Sequence, residues 1–121
     1  MPGRFENQEI NYLSFAFAGV ILAPLFETLF LQWAPIELTR RLRLEKFWQF
    51  SVSTLVFAAA HYSAGIVTFI GVGFVSGAYL AFAYLAKRDI SPKAAFLQAW
   101  TMHFLINIIS IGIGGIGLLS N

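Results

Sequence analysis

The sequence predicts an all-α, polytopic membrane protein with four transmembrane helices and one short interfacial helix. Of the 121 residues, 58% are hydrophobic and only 12% are charged, whereas soluble domains average about 25% charged residues. The mean hydropathy is +0.71. Long apolar runs alternate with short polar segments rich in lysine and arginine, which is typical of membrane helices joined by loops.

Four apolar runs, each near the length of about 20 residues that crosses a bilayer, predict a single transmembrane domain over residues 1–121. The predicted spans are residues 10–34, 47–63, 66–86 and 94–118. Pro24 lies inside the first span and predicts a kink. Gly73 and Gly77 in the third span predict close helix packing. The segment 36–46 alternates leucine with basic residues and predicts the interfacial helix.

Lysine and arginine predict the orientation. Seven of the eight basic residues lie in segments 36–46 and 87–93, which share one side if the chain crosses four times. We therefore expect both loops in the cytoplasm and both termini outside, in a bacterial or archaeal cell membrane. The absence of cysteine excludes disulfides and thiol nucleophiles. A net charge of +2 spread over loops predicts no nucleic-acid partner.

Four strongly polar side chains lie at membrane depth in the predicted spans: Glu27, His61, His103 and Asn107. A charged group there costs about 3 kcal/mol on insertion scales, so it usually has a function and a partner. With a rise of about 1.5 Å per residue, each group lies roughly 12 to 21 Å from the loop end of its span. All four can therefore share one layer near the middle of the membrane.

The order of these residues resembles the CAAX-processing and bacteriocin-processing (CPBP, or Abi) family of intramembrane proteases, related to the type II CAAX prenyl endopeptidases. That family carries Glu-Glu-x-x-x-Arg, Phe-x-x-x-His and His-x-x-x-Asn on successive membrane helices. Here the second motif runs from Phe57 to His61 and the third from His103 to Asn107, while Glu27 stands in the first.

The resemblance implies an intramembrane endopeptidase that hydrolyses a peptide bond near the end of a membrane-associated protein or peptide. It implies that Glu27 and His61 activate water, whereas His103 and Asn107 stabilise the oxyanion. No cofactor is then required. One glutamate and two histidines also suit zinc with an open position for water, so the residues leave open a zinc site made of Glu27, His61 and His103.

The first motif departs from the family pattern, since Thr28 replaces its second Glu and Gln32 replaces its Arg. This departure keeps open a non-catalytic membrane adaptor or immunity protein. A small four-helix proton-coupled transporter, with Glu27 as the exchanging acid, is a further alternative, although it needs no paired histidines. The expected partners are the lipid bilayer and a membrane-associated peptide or protein, and no oligomeric state is predicted.

Overall fold

The computed structural model describes residue 11 and residues 13–119, with side chains through residue 113. This part of the chain is helical and contains no strand, which confirms the all-α prediction. Its main helices are α1 (Leu13–Arg41), α2 (Lys46–Ala60), α3 (Ile66–Arg88) and α4 (Pro92–Leu119). Residues 10 and 12 of the first predicted span lie outside the described residues.

Three helices in the described part of the chain are long and apolar enough to cross a membrane, namely α1, α3 and the Pro92–Ile113 part of α4. Helix α2 occupies the second predicted span but has only 15 residues. That is about 23 Å of helix, against a hydrocarbon core of about 30 Å. A 3₁₀ turn, Tyr62–Ala64, then leads to α3. The fourth crossing therefore stays a prediction.

The prediction of a separate interfacial helix over residues 36–46 is wrong. Helix α1 continues through Ala34–Arg41, and a short turn separates it from α2. The cause is burial of the last turns of α1 against α3 and α4. Ile36 is fully buried in a cluster with these residues of the two helices: Ala81, Tyr84, Ala95 and Ala99.

Two prolines in α1 each follow a π-helical turn. The π turns are Ala18–Leu22 and Thr28–Trp33, and Pro24 and Pro35 come two residues after them. A proline has no N–H, so one carbonyl in the preceding turn loses its helical donor. The structure shows a π turn beside Pro24, where the sequence predicts a kink.

A side chain of α4 bonds a carbonyl that Pro24 leaves free. The N–H of Ala23 bonds to the Ala18 oxygen five residues back, so an N–H at residue 24 in the same register would reach Gly19. Instead, Asn107 Nδ2 donates to the Gly19 oxygen at 2.9 Å. Within a membrane no water is present to satisfy a free backbone carbonyl, so the carbonyl needs a partner from the protein. The hydrogen bond from Asn107 supplies that partner and connects α4 to α1.

A side chain of α2 lies near a carbonyl in the π turn before Pro35. The N–H of Ala34 bonds to the Leu29 oxygen five residues back, so an N–H at residue 35 in the same register would reach Phe30, whereas Ser53 Oγ lies 3.1 Å from the Leu31 oxygen. Ser53 is fully buried. Ser53 therefore links α2 to α1 near Pro35, as Asn107 links α4 to α1 near Pro24.

Gly73 and Gly77 allow α3 to approach α2 closely, which confirms the predicted packing. A Cβ on Gly73 would lie 2.9 Å from the Ala58 Cα, and one on Gly77 would lie 3.1 Å from the Phe57 Cβ. A Cβ on Gly71 would have nothing within 4 Å. The first two glycines thus set the position of Phe57, which borders the site described below.

The two basic segments lie at the same end of the bundle. Asp89, just after α3, accepts a hydrogen bond from Lys46 Nζ at 2.6 Å and lies 3.9 Å from Arg40 Nη1. Arg88 forms a two-point ion pair with Glu37, and each of these side chains is 14% exposed. The shared end agrees with the predicted arrangement of the loops, whereas their cytoplasmic location stays a prediction.

Candidate active site

Glu27 on α1 and His103 on α4 form a carboxylate–imidazole pair. Glu27 Oε2 lies 3.3 Å from His103 Nε2. The His103 side chain is 5% exposed and that of Glu27 is 33% exposed, so the acid is the member of the pair that water or a substrate can reach. The structure therefore joins two of the four predicted residues across 76 positions of the sequence.

Thr28 holds the other side of the same imidazole. Its Oγ1 lies 3.3 Å from His103 Nδ1, and Thr28 is fully buried. When Glu27 is ionised it accepts a hydrogen bond from the Nε2–H of neutral His103, so Nδ1 carries no proton and accepts a hydrogen bond from the Thr28 hydroxyl. Both ring nitrogens then have partners and the ring orientation is fixed. In the sequence, Thr28 is recognisable only as a departure from the family motif. Its position next to Glu27 is the one sequence feature that points to a role in orienting the imidazole.

Gln32 stands where the family motif has an arginine, and it supplies a neutral hydrogen-bonding group at that position. It is fully buried, its Nε2 donates to the Gly77 oxygen at 3.3 Å, and its Oε1 lies 2.6 Å from Ser53 Oγ. Thr28 bonds towards α4, whereas Gln32 bonds towards α2 and α3, and both residues lie in the π turn Thr28–Trp33. A neutral amide here needs no carboxylate at residue 28.

His61 lies at the end of α2, on the ring of Phe57. Its imidazole stacks on that ring at 4.7 Å between centroids, and His103 meets the same ring edge-on at 5.6 Å. His61 Nδ1 lies 2.8 Å from the Phe57 oxygen. A carbonyl only accepts, so Nδ1 carries the proton and neutral His61 keeps its lone pair on Nε2. Of the two histidines, which both lie in the described part of the chain, only His103 has a carboxylate oxygen within 4 Å. Glu27 therefore pairs with His103 and not with His61.

Asn107 is half-buried one helical turn beyond His103, and one N–H of its amide is bonded to the Gly19 carbonyl. It makes no hydrogen bond with His103 among the described contacts. Its joint oxyanion role with His103 therefore stays a prediction, and only the second amide N–H is available for it.

The donor set for the alternative zinc site is not assembled. No group of three histidine, aspartate or glutamate side chains in the described part of the chain could hold a metal ion. Glu27 and His103 lie together, while His61 is held on Phe57 by stacking and by its bond to the backbone. The zinc alternative therefore stays a prediction, with only two of its three ligands shown together in this arrangement.

Comparison with known protein families finds a match over most of the chain. The family model described as type II CAAX prenyl endopeptidase Rce1-like matches residues 9–109, a range that includes every side chain of the candidate site. No curated protein and no solved structure matches the chain.

Proposed function

Because the chain belongs to the Rce1-like family of type II CAAX prenyl endopeptidases, we propose that it is an intramembrane endopeptidase with an active site built on Glu27 and His103. The family is one of proteases, and helices α1, α3 and α4 are suited to an integral membrane protein. The observation that supports the residue assignment is the 3.3 Å contact between a part-exposed carboxylate and a buried imidazole.

In the proposed mechanism Glu27 is the general base. It takes a proton from a water molecule as the water oxygen bonds to the carbon of the scissile carbonyl. It then returns the proton to the leaving amine nitrogen when the peptide C–N bond breaks. His103, held by Thr28, donates to Glu27 and keeps its carboxylate oriented. The lone pair on His61 Nε2 is the acceptor that this residue would offer to a water molecule at the site.

The proposed substrate is the C-terminal region of a membrane-anchored protein or peptide. A CAAX sequence carries its prenyl group on the cysteine, so the lipid and the scissile bond are separated by only a few atoms. The outward faces of the helices carry exposed apolar side chains, among them Phe26 and Phe30, whose rings stack on each other and which flank Glu27 in sequence. This exposure supports entry of a lipid-bearing substrate from the bilayer.

Hydrolysis of a quenched fluorescent peptide ending in a farnesylated Cys-a-a-X sequence, measured with the protein in nanodiscs, tests this proposal. We expect Glu27→Gln to lower kcat by about 100-fold or more, since it removes the base and keeps the shape. Glu45→Gln is the matched control, because Glu45 is an exposed acid in the turn before α2. It should leave kcat unchanged.

Full activity in Glu27→Gln would refute the residue assignment. A wild-type protein that hydrolyses neither prenylated nor unprenylated peptides would instead favour the non-catalytic adaptor. Melting temperatures of both variants separate these results from unfolding, because glutamine can still bond His103 Nε2 through its side-chain oxygen.

A further inference from the structure

A charged cleft of about 470 Å³ lies at the end of the bundle where α1 and α3 finish and α4 begins. It is lined by the following residues: Trp33, Glu37, Arg40, Arg41, Arg88 and Pro92. None of the residues proposed to act in hydrolysis lines it. The cleft is therefore a second candidate site, separate from the Glu27–His103 pair.

The cleft has an excess of positive charge. Three arginines face one glutamate, which leaves a formal charge of two positive units. Glu37 bonds Arg88 through both oxygens and also accepts a 2.8 Å hydrogen bond from Tyr84. Its single negative charge offsets one of the three positive charges, so a net positive charge remains in the cleft.

Arg40 and Arg41 keep their capacity to bind an anion. Arg40 lies 3.9 Å from Asp89, but Asp89 is bonded at 2.6 Å to Lys46. Arg41 has no carboxylate within 4 Å among the described residues. Guanidinium groups bind phosphate oxygens through two parallel N–H bonds, so two adjacent arginines suit a phosphate group.

The location of the cleft favours a lipid phosphate. Helix α4 begins at Pro92, so the positive end of its dipole faces the same space. Trp33 suits the interfacial depth at which headgroups lie. Leu38 and Leu42, which flank the arginines in sequence, are 60% and 64% exposed and offer apolar surface to acyl chains.

We propose that this cleft binds the phosphate of an anionic phospholipid at the end of the bundle where the basic segments meet. Headgroup binding there would hold the ends of α1 and α3 and the start of α4 together. The chemistry recognised is a phosphate with net negative charge beside an acyl chain, which inorganic phosphate shares only in part.

Thermal unfolding of the protein in a neutral detergent, titrated with defined lipids, tests the proposal. Dioleoylphosphatidylglycerol should raise the melting temperature, whereas dioleoylphosphatidylcholine and inorganic phosphate at equal concentration should not. In Arg40→Ala/Arg41→Ala the half-saturating concentration of phosphatidylglycerol should rise by about fivefold for each arginine removed. Arg41→Ala alone, at an exposed position, gives the same test if the double variant does not fold.

Arg43→Ala/Lys87→Ala is the matched control, because it removes two nearby positive charges that do not line the cleft. Its lipid response should equal that of the wild type. An equal loss in both double variants would overturn the proposal in favour of diffuse surface charge. A full response to inorganic phosphate, or an equal response to phosphatidylcholine, would also overturn it.

Discussion

Asn107 offers the sharpest test of how this fold is held together. Its Nδ2 donates to the Gly19 oxygen at 2.9 Å, 88 residues away in sequence. Pro24 has no N–H to give that oxygen. If Asn107 replaces the missing donor, the importance of Asn107 should depend on whether residue 24 is a proline.

The expected magnitude follows from one neutral hydrogen bond between membrane helices. Such bonds average about 0.6 kcal/mol and reach about 1.7 kcal/mol, while an unsatisfied buried acceptor costs about 1–3 kcal/mol. We expect Asn107→Ala to lower the free energy of unfolding by about 1.5 kcal/mol. In a Pro24→Ala background, residue 24 supplies its own N–H, and the same change should cost less than about 0.5 kcal/mol. The coupling is then about 1 kcal/mol.

A double-mutant cycle on unfolding in mixed detergent micelles measures this coupling. Pro24 is fully buried, so Pro24→Ala has a cost of its own, and only the coupling is diagnostic. The control cycle combines Pro24→Ala with Ser53→Ala. Ser53 bonds the Leu31 carbonyl and not the Gly19 carbonyl, so these two changes should add.

Equal costs of Asn107→Ala in both backgrounds would refute the reasoning. Peptide hydrolysis by the same four proteins separates two roles. If Asn107 positions α1, the Pro24→Ala background should restore activity to the Asn107→Ala variant. If its second N–H binds the oxyanion, activity should stay low whatever occupies residue 24.

Three further predictions concern the packing, the site and the response to pH. Gly73→Ala should destabilise the protein by about 1–3 kcal/mol by overpacking against α2, whereas Gly71→Ala, with open space around it, should not, as measured by unfolding in detergent. Thr28→Val should lower kcat and Thr28→Ser should retain it, because only serine keeps the hydroxyl that bonds the buried imidazole. The hydrogen bond from Lys46 lowers the pKa of Asp89 below its ordinary 3.8, so the pair stabilises the fold above that pH and the stabilisation is lost as pH falls through the lowered value. The melting temperature of Asp89→Asn should therefore fall less on acidification below about pH 4 than that of the wild type, at low salt.

Much of the candidate site can be identified from the sequence because charged and amide groups are rare in apolar spans. Glu27 and His103 stand out on that ground, and the rise per residue places them at similar depth. Their partners cannot be identified in this way. Depth follows from counting residues, but the direction in which a side chain points depends on rotation about the helix axis, about 100° per residue.

The π turns add to this difficulty. Each one changes the helical register of α1, so positions four apart, such as Thr28 and Gln32, need not face the same neighbour. The ion pair between Glu37 and Arg88 is also not predicted, because the pattern of segment 36–46 favours a separate interfacial helix. The sequence shows an acid at the end of one span and a base at the end of another. It does not show that these two side chains lie next to each other in the folded protein.

Hydropathy is a local property of the chain, so the amino-acid sequence is enough to predict the helical membrane class, the location of the apolar helices and the few polar groups within them. The sequence also predicts the close packing at Gly73 and Gly77, since the absence of a side chain is local too. Three pairings are visible only in the folded chain: Glu27 pairs with His103, Thr28 orients the imidazole, and Asn107 bonds the carbonyl of Gly19. These pairings depend on helix rotation and on which helices are neighbours, and both are set by packing of the whole bundle.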